Sequence, residues 1–314
     1  MTVSRVLNNK GEISEATRQH VLSVMHEMGY RPNRVARSLA TAKTLKIGVI
    51  VPSISSAYYG AVLEGAERLF WDRGYHMMLG NTGEDIRREQ TILDLFEEDR
   101  ADGVLVVSSH LNSAVLSEYL RKQRAAVVIN SEVEAGAACH VRTNEKQSMA
   151  KAVEHLVKSN RRCLAYVGTN MKTYAGRQRQ NCFVAALQEF GASVRPDLIM
   201  SCDRRGGYVT ARQLLQEHPE VDGVICFNDE IAAGALRACF DLGRDVPGDV
   251  AVIGYDDIFL AELLNPSLTT LRLCLTKREV GALAGRMLLE RIDGSSTCDE
   301  VVLDHELVVR ESAP

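Results

Sequence analysis

No apolar run in this chain approaches the ~18 residues a membrane-spanning helix requires, and its first residues show neither the apolar core nor the cleavage pattern of a secretory leader. A cytoplasmic protein is therefore expected. The eight cysteines (139, 163, 182, 202, 226, 239, 274 and 298) include no C-x-x-C pair, so in a reducing compartment they read as small buried hydrophobes rather than bridges. The eight histidines show no H-E-x-x-H or other ligand spacing. Neither a metal nor another cofactor is expected. Also missing are G-x-G-x-x-G, a Walker loop and a nucleophile elbow, so Gly80-Asn81-Thr82-Gly83 and Gly168-Thr169-Asn170 carry no enzyme signature. Asp256 and Asp257 could do acid–base work only if both faced one cleft, which sequence neighbours need not do. An enzyme is not expected.

What is present is a chain of 314 residues, enough for two or more cores, with 46% hydrophobic and 25% charged residues. The net charge of −4 hides an asymmetry: residues 1–46 hold eight Lys/Arg against three Asp/Glu, a balance of +5, and the remainder carries −9. A basic head on an acidic body suits a polyanion for the head and a neutral or small ligand for the body.

The stretch Gly29-Tyr30-Arg31-Pro32-Asn33-Arg34-Val35-Ala36-Arg37-Ser38-Leu39-Ala40 divides the two. Pro32 disfavours helix at Arg31, so the preceding helix is expected to end near Gly29, and Asn33 can cap a new one running to about Ala40. Two turns are marginal alone, since isolated helices shorter than ~12 residues barely form in water. Arg31, Arg34 and Arg37 recur every three residues beside apolar Leu39; phosphates could hold the arginines and a base step could receive the leucine. An ordinary solvated linker is the alternative. Upstream, Thr2–Asn8 is helical in pattern, and Ser14 opens a second helix whose Val21, Leu22, Val24, Met25 and Met28 form its inward face.

Thr2-Val3-Ser4-Arg5-Val6-Leu7-Asn8 and the 29–40 stretch together resemble the LacI/GalR family of bacterial transcription regulators. The resemblance implies a helix-turn-helix head over 1–32, a hinge helix and linker over 33–44, and an effector-binding and dimerisation body over 45–314. It assigns Thr2, Ser4, Arg5, Asn8, Tyr30, Asn33, Arg34, Arg37 and Leu39 to double-stranded operator DNA, with Leu39 wedged into a central base step. In the family a first helix and turn precede the T-V-S-R-V-L-N helix, so the head is expected to be incomplete as given: either the start lies upstream or the regulator has decayed. Arg5 could donate two hydrogen bonds to guanine; an exposed helix arginine is the bland reading.

From Lys46 onward, strands at Ile47–Val51, His76–Leu79, Gly103–Val107, Ala126–Ile129, Leu164–Val167, Asp222–Phe227 and Val250–Ile253 alternate with amphipathic helices. The expected fold class is α/β, with two parallel doubly wound sheets in the two-lobed periplasmic-binding-protein-like body that the family carries. Lobe 1 is expected over about 45–142 and 275–298, and lobe 2 over about 143–274 and 299–314.

Ligands of open parallel sheets bind beyond the carboxyl ends of the strands. After the first strand, Tyr58 and Tyr59 stand where the family places two cleft aromatics, with plain core packing as the alternative. Arg179, in Arg179-Gln180-Asn181-Cys182-Phe183-Val184-Ala185-Ala186-Leu187, is similar to the family's cleft arginine, although Cys182 replaces its usual glycine. Asp256 follows Ile253-Gly254-Tyr255 and is expected to accept ligand hydroxyls, while Asn228 is expected in the cleft and Asp229 as the cap of the next helix. Asn144-Glu145-Lys146-Gln147-Ser148 departs from the family's D-N-x-x-G, and Cys202 replaces a frequent aromatic. The resemblance implies a homodimeric or tetrameric regulator, most often a repressor, answering a sugar or sugar derivative. A secreted sugar-binding protein of the same two lobes, or a sensor without DNA-binding output, is the rival reading.

Overall fold

The computed structural model describes residues 6, 13–30, 38, 41–169, 173–203, 206–294 and 300–314. The expected DNA contacts Thr2, Ser4, Arg5, Asn8, Asn33, Arg34, Arg37 and Leu39 lie outside them. The chain forms two compact units, Met1–Thr44 and Leu45–Pro314.

In the first unit, helix α1 (Glu15–Glu27) starts where Ser14 Oγ accepts the Thr17 amide at 3.2 Å. It stops at Gly29, whose φ of +60° turns the chain so that the Tyr30 amide reaches Met25 O at 2.9 Å. The inward face differs from expectation. Val21, Val24, Met25 and Met28 share one groove with His20 and Tyr30, while Leu22 lies off that stripe; Leu22, Val24 and Met28 are exposed. One residue of helix rotates the side chain by ~100°, which is why Leu22 misses the face that Val21 joins.

The second unit holds two six-stranded sheets. The first runs in the order β11-β5-β4-β3-β1-β2, from β1 (Lys46–Val51), β2 (His76–Asn81), β3 (Gly103–Val107), β4 (Ala126–Ile129), β5 (Cys139–Thr143) and β11 (Glu300–Leu303). The second runs β12-β10-β9-β8-β6-β7, from β6 (Leu164–Thr169), β7 (Ile199–Cys202), β8 (Gly223–Cys226), β9 (Ala251–Tyr255), β10 (Thr269–Leu273) and β12 (His305–Val308). Every pairing is parallel except β10 with β12.

Helices α2 (Ala57–Asp72), α3 (Ile86–Glu98) and α4 (Ser113–Lys122) follow strands of the first sheet. Then α5 (Glu145–Lys158), α6 (Tyr174–Glu189), α7 (Gly207–Glu217), α8 (Asp229–Asp241) and the one-turn α9 (Leu260–Leu263) follow in the second lobe. The last helix, α10 (Lys277–Ile292), returns to lie along α2. Both faces of each sheet are covered, so β3, β4, β8 and β9 are buried along their whole length. Val62, Phe70, Val280 and Leu288 fill one side of the first sheet, and Leu93, Phe96, Leu116 and Leu120 the other. Met149, Tyr166 and Phe183 pack on one side of the second sheet, and Leu214, Ile231 and Leu236 on the other. Full burial of each such large apolar side chain contributes about 1.5–3 kcal/mol before entropy is counted.

The lobes are joined where β5 passes into α5, β10 into α10 and β11 into β12. These three crossings are tied together: the Asn144 amide donates to Leu303 O (2.9 Å), Asn144 Nδ2 donates to Asp304 Oδ1 (2.9 Å), and the Cys274 amide donates to Asp304 O (3.0 Å). The expectation that residues 299–314 belong wholly to the second lobe is corrected here. Glu300–Leu303 pairs in register with β5 of the first sheet before the chain crosses at Asp304. Seven cysteines are described, all free; Cys139, Cys202, Cys226 and Cys239 are buried, whereas Cys274, at a crossing, is exposed contrary to its reading as a core hydrophobe.

Candidate functional site

In strand order each lobe repeats one pattern: 2-1-3-4-5 in the first sheet and its counterpart 7-6-8-9-10 in the second. That doubly wound order reverses direction between β1 and β3, and again between β6 and β8, leaving a crevice beyond the strand ends where neighbouring connections run to opposite faces. The residues that line the main cleft are those that follow these strands. The first lobe supplies Pro52, Ser56, Tyr58 and Tyr59 after β1, Ser108 and His110 after β3, and Asn130 after β4. The second lobe supplies Thr169 and Thr173 around the end of β6, Arg179 on α6, Phe227 and Asn228 after β8, and Asp256 after β9. Between them lies a cleft open to solvent, lined by polar and aromatic side chains from both lobes.

Tyr58 and Tyr59 open α2, half-buried, with ring centroids 5.3 Å apart in an edge-to-face arrangement. Both readings of these tyrosines hold at once, because their rings rest on the first-lobe core and also line the cleft. Burial, moderated by a hydrogen bond to Ser108, pushes the Tyr59 hydroxyl up to about 12, and burial with the nearby Asp256 charge drives Tyr58 higher still. Both therefore enter the cleft as neutral hydroxyls able to donate or accept.

Arg179 reaches the cleft from α6 with only 5% of its side chain exposed. Its Nε lies 3.3 Å from each carboxylate oxygen of Glu145, Nη1 donates to Phe227 O at 2.6 Å, and Nη2 stands 3.8 Å from Asp256 Oδ1. The guanidinium carbon lies over the Tyr255 ring at 3.5 Å and the Phe227 ring at 4.5 Å. Burial opposes the charge on Arg179, but Glu145 and Asp256 outweigh it and hold the proton more tightly than usual. Glu145 in turn accepts from Thr143 Oγ1 and the Tyr255 hydroxyl, both at 2.7 Å. Tyr255 packs edge-on against His305, whose Nδ1 is 2.8 Å from Ser148 Oγ. Burial, assisted by Arg179, pushes His305 down to about 3, so this ring is neutral.

Asp256 occupies a left-handed turn, with φ of +99° there and +48° at Asp257. For non-glycine residues such a pair is strained, and the surroundings hold it. Arg310 grips Asp257 Oδ1 at 2.8 Å, Lys277 Nζ donates to Asp257 O at 2.7 Å, and Asp229 Oδ2 accepts the Ile258 amide at 2.8 Å. Burial pushes the Asp256 carboxyl up to about 6 and that of Asp229 to about 7.

Asn228 lines the cleft as the sequence leads one to expect, but the cap of α8 is also Asn228 rather than Asp229. Its Oδ1 accepts the Ile231 amide at 2.9 Å. Asp229 is fully buried and bonds Thr270 Oγ1 at 2.6 Å. The extended backbone at Asn228 (φ −151°, ψ 174°) places that residue, not its neighbour, in the capping position. The four other cleft residues expected from sequence, Tyr58, Tyr59, Arg179 and Asp256, come together here, and Tyr30 belongs to the groove on α1.

Residues 153–313 match the periplasmic binding protein-like domain, and residues 1–33 match the bacterial regulatory proteins of the lacI family. The HTH-type transcriptional regulator RegA of Clostridium saccharobutylicum is 33% identical over 99% of this chain and 94% of its own length. This chain belongs to the LacI family. It is a DNA-binding transcriptional regulator. A second relative, the HTH-type transcriptional repressor PurR of Klebsiella pneumoniae, is 32% identical over 93% of this chain and 86% of its own. Among solved structures, a transcriptional regulator CelR–cellobiose complex matches with a TM-score of 0.78 and 27% identity, covering 98% of this chain and 94% of that one.

Within this LacI-family body, sequence reasoning passed over Glu145, Tyr255, Ser148 and His305. Glu145 was visible only as a departure from the family pattern, and an acidic residue in the first turn of a helix ordinarily reads as a match to the helix dipole. Ser108 and Asn130 were findable, since each directly follows a predicted strand. Among the described residues no helix is long and apolar enough to cross a membrane, and no cluster of His, Cys, Asp and Glu could hold a metal.

Proposed function

We propose that this regulator is a cytoplasmic homodimeric repressor whose hold on double-stranded operator DNA is controlled by a sugar or sugar derivative in the interlobe cleft. The observation that carries this reading is that Arg179 and Asp256 present a donor and an acceptor 3.8 Å apart, facing Tyr58 and Tyr59 of the other lobe. A polyol satisfies both partners, and a sugar's apolar face suits the tyrosine rings. The similar CelR structure, a complex with cellobiose, supports the same class. In this reading Tyr58 and Tyr59 stack on the ligand, Arg179 and Asn228 hydrogen bond its oxygens, and Asp256 accepts its hydroxyl protons.

A ligand touching both lobes favours one angle between them. That preference reaches the DNA through the segment Asn33–Ala40, whose two copies meet over the operator in the dimer. Coupling free energies of ~1–3 kcal/mol are typical and suffice to tip a helix close to its folding threshold. Thr2, Ser4, Arg5, Asn8, Tyr30, Asn33, Arg34 and Arg37 are the proposed phosphate and base contacts, and Leu39 the wedge.

The test is fluorescence anisotropy of the full chain against a pseudo-palindromic operator from its own gene neighbourhood and a scrambled duplex, across a salt series and with a panel of neutral saccharides. Specific, salt-sensitive binding that one saccharide weakens is the expected result. Equal weak binding to both duplexes would overturn the repressor reading and leave a ligand sensor.

A further inference from the structure

We propose that Glu145 sets the ligand class of the cleft: by engaging Arg179 inside the protein, it reserves the site for neutral, hydroxyl-rich ligands and excludes phosphorylated and carboxylated ones. The inference rests on the cleft being the effector site.

A free guanidinium is the preferred receptor for carboxylate and phosphate, because its planar fork offers two parallel N–H donors. In this protein the fork is already taken. Nε faces both oxygens of Glu145 at 3.3 Å, Nη1 is committed to Phe227 O at 2.6 Å, and the guanidinium carbon lies over the rings of Tyr255 at 3.5 Å and Phe227 at 4.5 Å. Glu145 cannot swing aside, since it is 4% exposed and held by Thr143 Oγ1 and the Tyr255 hydroxyl at 2.7 Å. What Arg179 still offers the cleft is the Nη2 edge, 3.8 Å from Asp256 Oδ1.

That geometry selects for an atom that donates and accepts at once. A hydroxyl can accept from Nη2 and give its own proton to Asp256, whereas an oxyanion placed there accepts from Nη2 but meets a carboxylate with no proton to share. Among the described lining residues Arg179 is the sole lysine or arginine, and two carboxylates, Asp256 and Glu84, stand with it. Nearby Lys277 is spent on Asp257 O. With Glu145 cancelling the arginine, the field in the cleft is negative, and an anion is repelled rather than steered in.

The experiment is isothermal titration calorimetry and thermal shift on the full chain, wild type and Glu145→Gln, with cellobiose, glucose 6-phosphate and inorganic phosphate as probes. Glutamine keeps the shape and one acceptor oxygen, so one of the Thr143 and Tyr255 hydroxyls must turn to accept from its amide, while the charge is removed. The expected result is no saturable binding of either phosphate by the wild type, and a gain of about tenfold or more in affinity for glucose 6-phosphate in Glu145→Gln, the size one unscreened charge produces. Adding Arg179→Gln should erase the gain, which assigns it to this arginine. Saturable binding of glucose 6-phosphate by the wild type, or no gain in the variant, would overturn the proposal. If Glu145→Gln does not fold by circular dichroism, Glu145→Ala removes the same charge and carries the same expectation and the same refutation, and the wild-type titration with glucose 6-phosphate can still overturn the proposal on its own. Refusal of cellobiose and of the neutral saccharide panel used in the operator-binding test, alongside a gain for glucose 6-phosphate in the variant, would sink the sugar reading and leave the charge rule standing.

Discussion

Glu145 and Arg179 lie 34 residues apart and meet beneath the cleft, Nε 3.3 Å from each carboxylate oxygen, with 4% and 5% of their side chains exposed. Burying a charge pair is costly, and the cost is tolerable only while both members are present. Arg179→Met is therefore expected to destabilise the protein by about 3–5 kcal/mol, and adding Glu145→Gln to recover a large part of the loss. Urea unfolding of the two single variants and the double variant measures this. Additive losses would show that the two side chains are not coupled.

Asp256 yields a pH signature. Burial pushes its folded carboxyl up to about 6 from an ordinary value of 3.8, so the native state holds the proton more tightly than the unfolded chain. Stability from this group is fully present below about pH 4 and is lost as pH rises towards 6. Asp256→Asn removes that loss, so the variant should exceed the wild type at pH 7.5 by on the order of 2–3 kcal/mol, with the gap closing near pH 4. Asp229 and His305 titrate in both proteins and largely cancel in the comparison. Chemical denaturation from pH 4 to 8 decides it, and a constant gap refutes it. The same variant should lose effector affinity by tenfold or more, since a charged hydrogen bond is worth about 1.5–3 kcal/mol.

Two glycines should answer alanine with opposite signs. A Cβ at Gly281 would sit 1.9 Å from Val62 O, where α10 lies against α2, so Gly281→Ala must push the helices apart. About 1–3 kcal/mol of destabilisation is expected. Gly60, within α2, has nothing within 4 Å of its Cβ direction, and Gly60→Ala should stabilise by about 0.5–1 kcal/mol. Calorimetric melting of both variants checks the pair; equal shifts would contradict the helix contact.

Leu39→Ala should weaken specific operator binding by about tenfold or more, because an apolar wedge that opens a base step is lost. Effector affinity, measured by calorimetry, should stay within about twofold. Unchanged operator affinity in anisotropy would remove Leu39 from the interface.

The strands that sequence located best are the deeply buried ones. Gly103–Val107 and Ala126–Ile129 agree at both ends, because a strand covered on both faces must be a continuous apolar run, and such a run is visible without a fold. Cys139–Thr143 and Ile199–Cys202 were not predicted as strands. Their mixed side chains are partly exposed, and they become strands by pairing with β4 and β6. The split at Asp304 is invisible for a related reason: Val301–Val309 reads as one segment finishing the second lobe, and only its partners, β5 on one side and β10 on the other, divide it.

What the amino-acid sequence determined alone was whatever depends on short stretches: the buried strands, the start and stop of α1, the charge asymmetry between head and body, and the motifs that place Tyr58, Tyr59, Arg179 and Asp256 near one cleft. What only the tertiary structure decided was how those side chains are committed. Whether Arg179 is free to bind an anion depends on Glu145, Phe227, Tyr255 and Asp256, four residues from three separate segments of the second lobe. Coulomb energy and desolvation depend on distance through space and on burial, and neither quantity is defined until the chain has folded.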